Sequence, residues 1–268
     1  MKPTTALYTI ACKIPVRLTD TIMLADRVHE TLVSLSDGSS VFTGCDRYRQ
    51  PLRGNRHAYI FCESAKPKRP GESDEGGITH IVVYAPMGFE PADQKALLDL
   101  SEIWGENGLR ALVTLEGFGM PADFAGNFAG KDAEHAACSL LCLSSVWVSR
   151  TPFIPTRHPK VTRAGARKLD ATGLQIGSPE HELRRLLGLE NLPEIASVEP
   201  IAHTILGKKQ IGWSNFRLSR DNGLGRRAGC RSYGFRVAFS QPVQGPVAVG
   251  YGAHFGMGLF VPEDEKRI

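Results

Sequence analysis

The stretch ALYTIACKIPV, residues 6–16, is followed four residues later by TIMLADRVHETLVSL, residues 21–35, and the hydrophobic period changes between them. The first stretch is apolar, β-branched and aromatic, and it mostly alternates, which is typical of a strand. In the second stretch, apolar residues recur at three- and four-residue steps, which indicates an amphipathic helix. Thr19 or Asp20 can cap that helix. The start of the chain therefore predicts a strand that leads into a helix.

The elements that follow predict a β-α-β-β-α-β order for the first half of the chain. Three further strands are predicted, at HAYIFCES (57–64), ITHIVVYAP (78–86) and RALVTLEGFG (110–119). Between the last two, Pro91 in a first turn opens the helix ADQKALLDLSEIW (92–104). This order is that of the ferredoxin-like unit. Residues 1–125 are therefore predicted to form an N-terminal ferredoxin-like domain.

The second half is predicted to repeat this order, without any repeat of sequence. Strands are predicted at SSVWVSRTPFIP (144–155), SYGFRVAFSQPV (232–243) and MGLFVPE (257–263). A helix is predicted at SPEHELRRLLG (178–188), with Ser178 as its cap, Pro179 in its first turn and Gly188 past its end. A second helix is poorly marked. We expect an α+β fold of two tandem ferredoxin-like domains, the second at residues 140–268.

Composition excludes several classes of protein. The six cysteines form no C-x-x-C pair, which favours reduced thiols in a cytoplasmic protein. No apolar run approaches the roughly 20 residues that span a bilayer, and the N-terminus lacks the apolar core of a signal peptide. The Walker, G-x-S-x-G and H-E-x-x-H motifs are absent. We therefore expect no membrane, no metal and no cofactor.

Positive charge is concentrated in the second half, although the net charge is only +4. From Ile205 to Arg236 there are eight Lys and Arg against one acid, Asp221. From Arg150 to Asp170 there are six against one. A single charged run is usually a solvated face, but two runs of one sign favour a polyanionic partner.

Near the C-terminus, GYGAHFGMGLF (250–260) carries four glycines in nine positions, and we name residues 250–258 the glycine loop. Its spacing is not that of a dinucleotide site, because Phe255 stands where the third glycine would be. Glycine serves where φ must be positive or where another backbone comes close. The loop therefore predicts either a tight turn or a site where another backbone lies against it.

Four blocks of the sequence resemble a known family: QPLRGNRHAYIF (50–61), HIVVYAPMGF (80–89), WVSRTPFIPTRHPK (147–160) and RSYGFRVAFSQPVQGPVAVGYGAHFGMGLFVPE (231–263). They resemble the RAMP superfamily of CRISPR systems, in particular its repeat-processing endoribonucleases of the Cas-six type. The likeness is greatest to the processing component of subtype I-G, formerly I-U. That component is usually fused to a Cas-five-type domain, for which 268 residues leave no room.

The resemblance implies metal-independent cleavage of CRISPR repeat RNA, with the hairpin product retained. The ribose 2′-OH attacks the adjacent phosphorus and leaves a 2′,3′-cyclic phosphate and a 5′-OH. The partners implied are the repeat RNA hairpin and the other subunits of a type I interference (Cascade) complex, namely its backbone, large and Cas-five-type subunits. A non-catalytic RAMP subunit that binds guide RNA is the main alternative, and an unrelated RNA-binding protein with ferredoxin-like domains is another.

Three histidines are the catalytic candidates, because the pKa of imidazole lies near working pH. His57 ranks first, since Arg53 and Arg56 stand beside it and can hold the scissile phosphate. His254 in the glycine loop ranks second. His29 ranks third, because it falls near the apolar stripe of the first helix.

RNA-binding residues are expected in two further groups. By resemblance, the glycine loop lies against the RNA backbone through Gly250, Gly252, Gly256 and Gly258. Basic side chains suit the phosphates of an RNA stem, since A-form RNA hides its base edges; these are Arg163, Arg167, Lys168, Arg226, Arg227 and Arg231.

Overall fold

Two five-stranded antiparallel sheets organise the computed structural model, which describes residues 1–64, 77–105, 108–125, 139–206, 209–220 and 231–263. The first sheet contains β1 (Thr5–Cys12), β2 (Tyr59–Glu63), β3 (His80–Tyr84), β4 (Glu102–Trp104) and β5 (Arg110–Gly119). Its helices are α1 (Thr21–Leu35), α2 (Ser40–Thr43), α3 (Pro91–Asp99) and α4 (Pro121–Phe124). In the part of the chain so described, no helix is both long and apolar enough to cross a membrane.

The strand order of the first sheet is β2-β3-β1-β5-β4, so the predicted β-α-β-β-α-β order is confirmed and one strand is added at an edge. The added strand corrects the helix predicted to run to Trp104. That helix ends at Asp99, because Leu100 is extended and residues 102–104 pair with β5. Asp20 stands at the N-cap of α1, but its side chain makes no capping hydrogen bond, since a short 3₁₀ turn leads directly into the helix.

The strands of the second sheet are β6 (Leu143–Ser149), β7 (Ile195–Ile201), β10 (Gly234–Gln244), β11 (Val247–Ala248) and β12 (Leu259–Pro262), and α5 (Pro179–Leu189) follows β6. Their order in the sheet is β11-β12-β6-β10-β7. Ser178 caps α5 as predicted, whereas Gly188 lies inside the helix. Where a second helix would stand, between β10 and β12, the chain instead forms β11 and the glycine loop.

A small hairpin joins the second half to the first core. It consists of β8 (His203–Leu206) and β9 (Lys209–Gly212), which pair antiparallel. Leu206 is buried in the same cluster as Leu24, Val28 and Ile60 of the first half. The hairpin therefore extends the core that α1 forms with the first sheet.

Helices cover one face of each sheet, and the opposite faces meet each other. In the second sheet, Leu183 and Leu187 of α5 are buried against Trp147 and Val237. A third buried cluster contains side chains of both sheets: Leu7, Phe61 and Val82 from the first, and Leu259 and Val261 from the second. The cleft beside this contact positions the residues described below.

A buried ion pair crosses between the two halves. The Arg150 guanidinium, just after β6, donates to the Glu63 carboxylate at the end of β2 at 2.8 Å. It also donates to the carbonyl of Ile205 at 3.1 Å. The two side chains are only 8% and 7% exposed. Each charge therefore depends on the other half of the chain to balance it.

Removing one partner of this pair should be costly. Arg150→Met should lower the free energy of unfolding by about 3–5 kcal/mol, because it leaves the Glu63 carboxylate buried and unpaired. The double variant Arg150→Met/Glu63→Gln should recover much of that loss. Urea denaturation at pH 7 measures both. As a control, Arg110→Ala breaks an exposed pair with Glu102 and should cost about 1 kcal/mol or less. A comparably small loss for Arg150→Met would contradict this account.

Candidate functional site

The glycine loop is anchored at both ends to the segment that follows β6. The amide of Tyr251 donates to the carbonyl of Ile154 at 2.9 Å, and the amide of Gly258 donates to the carbonyl of Pro152 at 2.9 Å. Between these anchors, residues 253–255 form one 3₁₀ turn. The loop is therefore held as a fixed, folded segment against its own chain.

Glycine is required here because other protein backbone lies in contact. A Cβ on Gly258 would stand 1.9 Å from the carbonyl oxygen of Val249. A Cβ on Gly256 would stand 3.0 Å from Thr21 Oγ1 of α1 and 3.2 Å from the carbonyl oxygen of Ile60 in β2. Both glycines also have positive φ, 59° and 77°. The approaching backbone is thus the protein's own.

This packing restricts the expected contacts of the loop with phosphate. The amide of Gly256 donates to the carbonyl of Ala253 at 3.2 Å, and that of Gly258 is used at Pro152. Neither amide is available to a phosphate. Contact between a loop amide and a phosphate therefore remains a prediction for Gly250 and Gly252.

The loop places His254 in a stack with His57, two residues before β2, and with Tyr59, the first residue of β2. Its ring centroid lies 3.6 Å from that of His57, with 12° between the planes, and 3.9 Å from that of Tyr59. Its Nδ1 lies 3.0 Å from the carbonyl oxygen of Ala58. The two highest-ranked histidines, almost 200 residues apart in the chain, are therefore in direct contact.

Gly44 supports His57 from another side. This glycine ends α2 with a φ of 66°. A Cβ there would stand 2.8 Å from Cδ2 of the His57 ring. Sequence analysis missed this residue, because a helix of four residues is too short to show a periodic spacing of hydrophobic residues. The only local signal was a glycine two residues after the apolar Phe42.

His29 lies behind the loop. Its Nε2 is 3.1 Å from the carbonyl oxygen of Phe42, and its ring meets the edge of Phe255 at 5.2 Å between centroids. The Arg220 guanidinium covers Phe255 at 4.3 Å and pairs with the buried Asp26 carboxylate at 3.1 Å. The structure thus brings all three predicted histidines to one place, which we name the histidine cluster (His29, His57 and His254).

Burial keeps the three imidazoles neutral. It lowers the pKa of His254 to about 3, with a further contribution from His57. It also lowers the pKa of His57 and of His29. Nδ1 of His57 is buried without a hydrogen-bond partner among the described residues. At neutral pH the three rings are therefore uncharged, and burial weakens their affinity for a proton, most strongly at His254.

The basic candidates are distributed over the surface. Arg53 and Arg56 are exposed in the loop before His57. Arg231, just before β10, is also exposed. Arg226 and Arg227 lie outside the described residues. Over the described ranges, no group of three or more His, Cys, Asp or Glu side chains is placed to hold a metal ion.

Three other basic candidates share an exposed projection, residues 156–178, which we name the basic arm. Isolated bridges pair Val161 with Arg167 and Leu169 with Gln175, so the arm is folded. Every residue from 161 to 169 is exposed, including Arg163, Arg167 and Lys168. At its base, the amide of Gly177 donates to Nδ1 of His181 at 3.2 Å.

No protein-family model and no curated protein matches the chain. A structure described as "CRISPR associated protein Cas6" has 9% identity and a TM-score of 0.40, covering 98% of this chain and 99% of that one. "An RAMP protein binding different RNA substrates" has 13% identity, a TM-score of 0.43, and coverages of 98% and 100%. A Cas6 product complex has 14% identity, a TM-score of 0.37, and the same coverages.

The lowered histidine pKa values predict how stability depends on pH. The unfolded chain binds protons on these imidazoles near pH 6.5, whereas the folded state resists protonation down to about pH 3 at His254. Stability should be fully present above pH 6.5 and fall as the pH is lowered, by up to about 1.4 kcal/mol per pH unit for each group. Urea midpoints between pH 7.5 and pH 5 measure this slope. It should be shallower in His254→Gln, and an equal slope would contradict the assignment.

Proposed function

We propose that this chain is a CRISPR repeat-processing endoribonuclease of the RAMP superfamily, close to the subtype I-G (I-U) component. The observation that carries the proposal is the histidine cluster. Residues chosen from three separate segments, at positions 29, 57 and 254, come together at the contact between the two halves of the chain. The family resemblance of the blocks around His57 and His254 supports the same reading.

His57 is the proposed general base. Its neutral imidazole takes the proton of the ribose 2′-OH, and the 2′ oxygen attacks the adjacent phosphorus. The bond from phosphorus to the 5′ oxygen breaks, and that oxygen takes up a proton from solvent. The products are a 2′,3′-cyclic phosphate and a 5′-OH. Arg53 and Arg56, exposed beside His57, supply positive charge to the phosphorane-like transition state.

His254 and His29 are proposed as positioning residues. His254 stacks on His57 at 3.6 Å between centroids and fixes the plane of that ring. The pKa of His254, about 3, makes it a poor proton carrier at neutral pH. His29 holds Phe255, the neighbour of His254, through an edge contact. Both residues therefore act through His57.

The basic arm and Arg231 are proposed to hold the RNA stem, with Arg226 and Arg227 as further candidates. Arginine suits this role because its guanidinium can contact a phosphate through two hydrogen bonds. Lys168 and the two arginines of the arm stand on a folded, exposed projection, so they can reach the backbone of a bulky duplex.

The wider setting belongs to the same proposal. Residues 1–125 and 140–268 would be two ferredoxin-like domains of a cytoplasmic protein. The chain would retain its hairpin product and work with the other subunits of a type I interference complex, including a Cas-five-type subunit.

One observation favours the alternative, a RAMP subunit that binds guide RNA without cutting it. All three imidazoles of the cluster have lowered pKa values, so none supplies an acid for the leaving oxygen at neutral pH. Gel analysis of a labelled repeat RNA with EDTA present separates the two functions. Tight binding without cleavage would support the alternative and exclude the nuclease.

His57→Ala should slow cleavage by about 10²–10⁴-fold, which is the usual contribution of one general base. Binding of the repeat RNA should change little, because arginines and backbone amides hold the phosphates. Single-turnover cleavage, RNA affinity and melting temperature are measured on the same preparation. His203→Ala, at a half-buried histidine of β8 outside the cluster, is the matched control. A parallel fall in rate, affinity and melting temperature would make His57 structural.

Neutralising the basic arm should weaken RNA binding in a salt-dependent way. In Arg163→Ala/Arg167→Ala/Lys168→Ala, the slope of log affinity against log salt should decrease in magnitude by about two to three, since three phosphate contacts are lost. A triple variant of Lys2, Lys95 and Arg110 removes the same charge from side chains that pair with acids of the first half. It should leave the slope unchanged. Equal slopes for the wild type and the arm variant would show that the arm does not contact RNA.

A further inference from the structure

A cleft lies between the two sheets, beside Tyr59 and Tyr84. Its volume is about 150 Å³. One wall comes from β2 and β3, with Tyr59, Phe61 and Tyr84, and the other from Val247 to Val249. Glu190, at the C-terminal end of α5, stands at the cleft as well. None of these cleft residues was selected from the sequence as a binding residue.

Of the aromatic side chains at the cleft, Tyr84 is half-buried and can contact a flat ligand, whereas Tyr59 and Phe61 are only 6% and 1% exposed and form the floor beneath it. Tyr59 and Phe61 have ring centroids 5.7 Å apart, and Tyr84 lies 6.3 Å from Tyr59. Aromatic side chains are the usual platforms on which unpaired bases of RNA stack. A volume of about 150 Å³ is comparable to that of cavities that hold one small aromatic compound. The cleft is therefore of the scale of a single nucleobase and not of a duplex.

Glu190 gives the cleft its chemical preference. Its side chain is exposed, and its described contact is a long hydrogen bond of 3.4 Å from the amide of Asn55. An ionised carboxylate repels phosphate because both are negatively charged. Since it only accepts hydrogen bonds, it selects a base edge that presents N–H donors. Guanine has two adjacent donors on its Watson–Crick edge, N1–H and the N2 amine, which match the two carboxylate oxygens. Burial, and then this carboxylate, raise the pKa of Tyr84, so its hydroxyl stays protonated at neutral pH.

We infer that this cleft binds one unpaired guanine of the RNA, with Glu190 reading its Watson–Crick edge and Tyr84 against its face. The inference deepens the proposed function and rests on it. Tyr59 connects the cleft to the histidine cluster, because its ring stacks on His254, which in turn stacks on His57. A guanine in the cleft would therefore fix the register of the strand relative to His57. Glu190 acts in specificity and not in bond cleavage.

The test uses the full chain and ten-nucleotide RNAs of uridine with one central guanosine, inosine, adenosine or uridine. Competition anisotropy measures their affinities, so no cleavage is needed. The guanosine RNA should bind on the order of ten-fold more tightly than the uridine RNA, as expected for a two-bond contact with a base. Inosine, which lacks the N2 amine, should be intermediate. Glu190→Gln should abolish the preference for guanosine while the affinity for the uridine RNA stays the same or rises.

Glu194→Gln is the matched control, since Glu194 is exposed four residues further on and does not line the cleft. It should keep the preference, and both variants should keep the wild-type melting temperature. Equal affinity for all four RNAs, or a preference that survives in Glu190→Gln, would overturn the guanine site and leave the proposed function standing. Failure of every RNA, the repeat hairpin included, to bind would overturn both.

Discussion

The close approach of one backbone to another, at the glycine loop, is the constraint on which the site depends. The loop passes so near the Ile60 carbonyl of β2 and Thr21 of α1 that a Cβ at Gly256 would crowd both. This approach brings His254 within stacking distance of His57. A loop with ordinary residues would stand further out, and the two rings would separate. The glycines therefore act on the histidine cluster indirectly, by setting the distance between two halves of the chain.

The same packing determines the charge state of the cluster. Bringing three imidazoles together, away from water, disfavours their protonated forms, because burial penalises charge and each ring would repel the others. Of the three histidines, His254 has the most strongly lowered pKa, about 3. His57 follows the exposed Arg53 and Arg56 in the chain, and it is the ring that we propose exchanges a proton with the RNA. The proposed mechanism accordingly assigns proton transfer to His57 and positioning to the other two rings.

Much of the first half could be predicted from the sequence, because the hydrophobic spacing changes clearly from the alternation of a strand to the three- and four-residue steps of a helix. The helix at 21–35 has the bounds expected from its apolar spacing, and strand pairing confirmed the β-α-β-β-α-β order. The end of α3 was missed because Ile103 continues a helical spacing while residues 102–104 pair with β5. The missing second helix of the second half was marked only by weak periodicity. In both cases a tertiary contact decided the local structure, and no local pattern records such contacts.

The residue types of the candidate site could be predicted from the sequence, but the contacts that hold these residues in place could not. A histidine in a basic loop and a histidine among glycines are visible in the sequence, whereas the Gly44 backbone under His57, and the Asp26 and Arg220 pair behind Phe255, join residues far apart in the chain. These supports have a common consequence. The cluster draws residues from both halves, and so does the buried pair of Arg150 with Glu63. The site therefore exists only when the two sheets have docked, so the contact that stabilises the fold is also the contact that assembles the histidine cluster.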